Sequence, residues 1–309
     1  MLLNSNRFEY PKGFSDKRSN MFKIVTDNGS DLPKSYLEEN DIGCMYLSTI
    51  LDGQVIAGKD KDLSAKDFYR MLSEGAKPST SQINPQDAKV WFTDHIDESD
   101  EFLYLGLSSG LSGTVGSVTI GVGEILEKYP GKKIEIVDTL GGSIGEGLMV
   151  CHAVKMRNEG KSLQETAQWL RDNTLGFNTT FTVDNLFDLW RGGRLSKSSA
   201  VIGTLIAVKP FMKTDNEGKL VVDRKLRGRK KALEYMVENM ESKISSRRDE
   251  NFVIGICHGD CEEDAAYIEK LVTERSGITD FIVSNVGPMI GTHTGASLVV
   301  LAFLGEDRM

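Results

Sequence analysis

Phe102-Leu103-Tyr104-Leu105, continued by Gly106-Leu107-Ser108-Ser109-Gly110-Leu111-Ser112-Gly113-Thr114, decides how this chain folds. The apolar run Phe102 to Leu105 reads as a buried strand, and Thr114 to Lys128 reads as a helix. From Leu107 to Thr114, three serines, a threonine and two glycines therefore occupy a strand-to-helix turn. Such a turn presents hydroxyls and free backbone N–H groups, and a helix N-terminus favours an anion. The docked group is a carboxylate, a phosphate or an acyl carbon under attack.

Outward from this turn the first half alternates strand and helix. Phe22 to Thr26 is a predicted strand, and Ser30-Asp31-Leu32-Pro33 reads as the cap and first turn of a helix through Glu39. Met45 to Leu51 and Gln54 to Ala57 flank Asp52-Gly53, a hairpin signal. Helices are expected from Ser64, from Asn84-Pro85, over Gly145 to Asn158 and over Ser162 to Thr174, with a strand over Ile134 to Val137. In the second half, Asp215-Asn216-Glu217-Gly218 joins two strands, followed by helices from Arg229 and Glu262 and strands at Phe252, Phe281 and Leu298. The rhythm predicts an α/β fold of two domains. A flexible extension over 1–20 precedes a mostly parallel, helix-covered sheet over 21–175, and a smaller α+β unit spans 176–309.

The 309 residues suffice for two domains, and 39% hydrophobic with 27% charged is ordinary globular composition. A net charge of −8 argues against general affinity for nucleic acid or anionic membranes. No apolar run approaches membrane-spanning length, and 1–20 lacks the apolar core of a secretion signal. Four cysteines are too few for a disulfide framework, which points to free thiols in the cytoplasm.

Several constellations carry chemistry. Gly106-Leu107-Ser108-Ser109-Gly110 fits the G-x-S-x-G nucleophile elbow, and Asp138 and His293 follow in the order of a hydrolase triad. No His-Gly-Gly-Gly oxyanion segment accompanies it. Thr80-Ser81-Gln82 forms a second hydroxyl cluster in a predicted loop. Gly287 to Gly295 reads as a glycine-rich loop around His293. Arg191-Gly192-Gly193-Arg194 is either a helix C-cap or a pair of guanidinium forks for an anion. Arg224, Lys225, Arg227, Arg229, Lys230 and Lys231 oppose the dipole of the helix they open, which a bound anion or acidic partner would relieve. Gly160-Lys161-Ser162 lacks the first glycine of a P-loop, and Cys257-His258-Gly259-Asp260-Cys261 lacks a second zinc-ligand pair. His95 and His152 read as structural.

Five segments in order resemble the DegV family: Ile24 to Pro33, Thr80-Ser81-Gln82, Leu107 to Thr114, Arg191 to Ser196, and Gly287 to Gly295. The resemblance spans about residues 21 to 305. It implies a two-domain protein that buries one long-chain fatty acid between its domains and acts as the fatty-acid-binding subunit of bacterial fatty acid kinase. Such a subunit is not catalytic alone and needs no cofactor. It presents the carboxylate to a separate ATP-binding kinase subunit, which makes an acyl phosphate for phospholipid metabolism. By that resemblance Thr80 and Ser112 hold the carboxylate, His293 belongs to the same network, and Ser81, Ser109 and Gly113 are expected to bind the carboxylate with them. Arg191, Arg194 and Arg227 are expected on the kinase-facing side. Nucleic acid and integral membrane association are not expected.

The sequence departs from the family pattern at Asn28-Gly29, Ile83-Asn84 and Thr294 to Ser297, and none of these removes a proposed carboxylate ligand. Leu186, Leu189, Ile202, Leu205, Ile206 and Phe211 are candidates for lining the acyl chain, and serve equally well as core. A serine esterase using Ser108 stands as the alternative.

Overall fold

A computed structural model describes residues 21–195 and 208–308. The expected N-terminal extension and the candidates Ile202, Leu205 and Ile206 lie outside these residues. In chain order the first elements are β1 (Lys23–Asp27), α1 (Lys34–Glu39), β2 (Ile42–Met45), β3 (Ser48–Leu51), β4 (Gln54–Ala57), α2 (Ala65–Ser73), β5 (Ser79–Ser81) and α3 (Pro85–His95). They continue with β6 (Glu101–Gly106), α4 (Thr114–Lys128), β7 (Lys133–Asp138), α5 (Ile144–Asn158) and α6 (Leu163–Asn173). The later elements are β8 (Phe177–Thr182), α7 (Phe187–Arg191), β9 (Val208–Thr214), β10 (Leu220–Arg227), α8 (Arg229–Ile244), β11 (Ile254–His258), α9 (Glu262–Ser276), β12 (Phe281–Asn285), α10 (Pro288–Thr294) and β13 (Val299–Leu304).

Three sheets result. The first is four-stranded and parallel, in the order β2-β1-β6-β7. The second is six-stranded and mixed, in the order β10-β9-β8-β13-β11-β12. The third is a small antiparallel sheet, β4-β3-β5. The βαβ rhythm around the serine turn is thus the parallel sheet, and the α/β class follows from it. The predicted run Met45 to Leu51 divides: β2 ends in the parallel sheet at Met45, and β3 starts the small sheet at Ser48. Asp52 and Gly53 both take positive φ, as a tight hairpin turn demands.

The helix α5 locks the layers together. All but three of its residues are buried, which is the pattern of a helix covered on every side. It packs on β8, β11 and β13 of the mixed sheet and on β1 and β6 of the parallel sheet. Beyond its end, Gly160 takes positive φ and Ser162 caps α6 in a full capping box with Glu165. The Gly-Lys-Ser triplet therefore serves helix capping. Cap predictions hold at Ser64 and Asn84, whose side chains accept from Asp67 N and Asp87 N. At α1 the prediction shifts: Ser30 sits in a 3-10 turn and the helix starts at Lys34, one residue past Pro33.

Arg308 performs a structural role that no motif announces. Its side chain is almost wholly buried and meets four backbone carbonyls. Nε donates to Phe177, Nη1 to Leu140 and Asp215, and Nη2 to Thr174. Burial without a carboxylate in contact pulls its pKa down to about 10. The planar fork suits this arrangement, because its donors are fixed in one plane. Replacement by methionine would leave these carbonyls buried and unpaired. We expect Arg308→Met to lose about 3 kcal/mol or more in urea denaturation, and Arg308→Lys to recover only part of it.

Candidate functional site

The turn after β6 is held by a buried carboxylate. Asp27, at the end of β1, accepts from Leu107 N (3.1 Å) and Tyr104 Oη (2.7 Å) on Oδ2, and from Gly29 N (2.8 Å) on Oδ1. Burial raises its pKa, and these three donors oppose the rise. Beside it, Glu146 of α5 is fully buried. Its Oε1 accepts from Thr26 Oγ1 at 2.9 Å, and its Oε2 has no hydrogen-bond partner among the described residues. Burial, then the charge of Asp27, hold Glu146 protonated well above the carboxylate range. Asp31 completes the group: it accepts from Ser143 Oγ (2.6 Å) and Gly287 N (2.8 Å), and burial lifts it to about 7.

Ser108 is a pin, not a nucleophile. It is fully buried, its Oγ donates to the Gly218 carbonyl at 2.9 Å, and it accepts from Gly110 N at 3.1 Å. Gly218 has a positive φ, and a Cβ there would collide with that Oγ. Asp138 Oδ1 accepts from Ser109 N and Leu140 N, while His293 bonds to Thr80. The Ser108–Asp138–His293 triad is therefore not assembled.

Thr80 and His293, 213 positions apart in sequence, meet at 2.8 Å through Oγ1 and Nε2. Two expectations about their settings change. Thr80 lies in β5, not in a loop, paired with Thr49 of β3. His293 lies in a helix, α10, because Pro288 opens it and Gly295 at positive φ closes it. The glycines bracket the segment more than they loosen it. Burial, then Arg194 and Arg191, lower the His293 pKa to about 4, so the imidazole is neutral near pH 7. Its Nδ1 has no partner among the described residues and lies against Gly192.

Both residues line a cavity between the serine turn and the mixed sheet. Ser112, Gln82, Arg194 and Thr294 join them in a polar cluster. Ser112 Oγ pairs with Thr114 Oγ1 (2.8 Å), either of which can be the donor, and accepts from Thr114 N; with Thr114 donating, the Ser112 proton is free for a ligand oxygen. The rest of the wall is mainly apolar: Leu107, Leu111, Phe181, Leu189, Leu220, Met289, Ile290, Leu298 and Val300. The wall thus draws on the serine turn, α10 and one face of the mixed sheet.

The remaining sequence candidates scatter. Ser81, Ser109 and Gly113 are exposed and do not line the cavity. Arg194, expected to face a partner, is half-buried in the wall, with Nε on the Leu111 carbonyl (3.1 Å) and Nη1 on that of Gly192 (2.6 Å). Arg191 is exposed beside Asp188, and Arg227 is exposed at the end of the edge strand β10. Of the tail candidates Leu189 lines the cavity, Leu186 is core, and Phe211 packs on the opposite face of the mixed sheet against Tyr235. Strand alternation sends Phe211 away and its neighbour Met212 toward the cavity side. Gln82, Thr294, Thr179 and Thr214 line the cavity and were missed by sequence reasoning. Gln82, adjoining Thr80, and Thr294, adjoining His293, carried a signal by adjacency.

The described residues contain no group of three or more His, Cys, Asp or Glu placed to hold a metal ion, and no helix long and apolar enough to cross a membrane. All four cysteines are free.

Glu146 supplies a pH test. The folded state keeps a proton that the unfolded chain releases above about pH 4.3, so stability falls as pH rises from there toward the folded pKa. Thermal unfolding across that range is expected to show Glu146→Gln gaining on the wild type as pH increases. The gain is about 1.4 kcal/mol for each unit by which the carboxyl is raised.

The sequence over residues 21–306 matches the model of one family, described as uncharacterised proteins of the DegV family. A DegV domain-containing protein of Clostridium perfringens is 38% identical over 288 residues, covering 93% of this chain and 98% of that one. Among solved structures, a DegV lipid-binding protein of Thermotoga maritima superposes with a TM-score of 0.79 at 27% identity, over 94% of this chain and 100% of that one. A Thermus thermophilus DegV family protein, described for its fatty acid binding, gives 0.79 at 28% identity, over 92% and 99%.

Proposed function

This chain belongs to the DegV family, and we propose that it binds one long-chain fatty acid and presents the carboxylate to a separate ATP-binding kinase subunit. The observation that carries the reading is the Thr80–His293 bond beside Ser112, in a cavity whose other walls are mainly apolar. The fatty acid binding of the Thermus relative supports it.

The physics divides the ligand in two. Each buried methylene contributes about 0.8 kcal/mol, so about fourteen give on the order of 11 kcal/mol before ordering costs. Affinity comes from the tail. The head group needs donors to replace its lost water. With Nε2 protonated, His293 donates to Thr80 Oγ1, which frees the threonine proton for a carboxylate oxygen. Ser112 donates to the other. Arg194, half-buried in the same wall, balances the charge. Its donors on the Leu111 and Gly192 carbonyls keep it from clamping both carboxylate oxygens, so the carboxylate remains a nucleophile. In the transfer step, a carboxylate oxygen attacks the γ-phosphorus of ATP on the partner and ADP leaves. Arg191 and Arg227, both exposed, are the residues we assign to partner contact.

Mass spectrometry of the purified, denatured protein is expected to show one long-chain fatty acid. Thr80→Ala combined with Ser112→Ala is expected to release it at least about tenfold faster, from the loss of two charge-assisted hydrogen bonds, and to abolish acyl-phosphate formation with a kinase subunit. Unchanged retention and turnover in that double variant would overturn the assignment.

A further inference from the structure

Thr179 and Thr214 both line the cavity, are 5% and 1% exposed, and carry hydroxyls with no hydrogen-bond partner among the described residues. They are neighbours. The antiparallel register pairs Thr180 with Lys213, which sets Thr179 of β8 against Thr214 of β9 one step on. Directly opposed residues hold their Cβ atoms about 5 Å apart, which is within reach of one oxygen between them, and Thr179 Oγ1 also rests against Gly145 of α5. Thr49, Thr166 and Thr182 also carry buried hydroxyls without a partner among the described residues, but none of them lines the cavity.

The pair stands away from the head-group cluster. Thr179 faces Ala302 across β13, and Leu298 lies immediately before that strand, close behind α10. Four residues of strand separate the two levels, about 13 Å at 3.3 Å per residue. A ligand whose carboxylate sits at Thr80 and Ser112 therefore passes the threonines with the middle or far part of its chain. Leu220, Phe181 and Val300 surround them there. A purely hydrocarbon chain leaves both hydroxyls buried and unpaired, which native interiors avoid. A chain with an oxygen at that level satisfies both.

We propose that the cavity is built for a long-chain fatty acid bearing a mid-chain hydroxyl, held by Thr179 and Thr214. This rests on the fatty-acid reading above and narrows its ligand class. The ligand hydroxyl accepts from one threonine and donates to the other, so each threonine hydroxyl gains a partner.

Competition binding to the full chain with stearic acid and a series of its mid-chain monohydroxy derivatives tests the proposal. At least one derivative is expected to bind about tenfold tighter than stearic acid, the effect of one to two net hydrogen bonds. Thr179→Val with Thr214→Val keeps the branched shape and is expected to erase that preference while stearic acid still binds. Thr179→Ser with Thr214→Ser keeps the hydroxyls and is expected to retain it. Equal affinities across the series, or a preference that survives the double valine variant, would overturn the proposal. Failure of stearic acid and every derivative to bind would instead sink the fatty-acid reading itself.

Discussion

The site depends on one buried charge. Asp27 stands at the end of β1, reaches the neighbouring strand through Tyr104, and holds the first backbone N–H of the turn at Leu107. An unpaired carboxylate at this depth would cost several kcal/mol, so the donors come as a set. That set fixes where the strand stops and the serine turn starts. The turn then fixes α4, and Ser108 fixes the hairpin tip at Gly218. Tyr104 is fully buried and has no other reason to point a hydroxyl inward.

A second constraint separates the two ends of the cavity. Three carboxyl groups, Asp27, Asp31 and Glu146, lie buried behind the turn, while Arg191 and Arg194 lie near His293. Burial raises the pKa of all three carboxyl groups. The basic side lowers the imidazole pKa. An incoming anion meets hydroxyls, a neutral ring and one guanidinium, with no carboxylate exposed to it. This division suits a site that holds a carboxylate without protonating it.

Much of the fold was legible because it rests on local rules. The strand-turn-helix at Leu107, the caps at Ser64, Asn84 and Ser162, and the Asp52-Gly53 hairpin all follow from a few adjacent residues. The Thr80, Ser112 and His293 grouping came through the family resemblance, since residues 213 positions apart show no pattern by themselves. Ser81, Ser109 and Gly113 were drawn in by adjacency, and strand and turn geometry turns them to solvent. Arg194 was misplaced because a guanidinium in a glycine-flanked bend looks the same in sequence whether it faces out or in. Thr179 and Thr214 gave no signal, since a threonine in a strand is ordinary until its partner across the sheet is known.

Arg308 has a consequence for how the chain comes together during synthesis. It joins the Leu140 segment and the hairpin tip at Asp215, both beside the cavity wall, yet it follows every strand and helix in sequence. β13, the interior strand that joins the two halves of the mixed sheet, ends at Leu304, four residues before Arg308, so this sheet and the donor that ties its wall segments become available almost together. Until then the two wall segments lack their common donor. The mixed sheet and the cavity wall that rests on it therefore close in the same late step, and a nascent chain gains scaffold and container together.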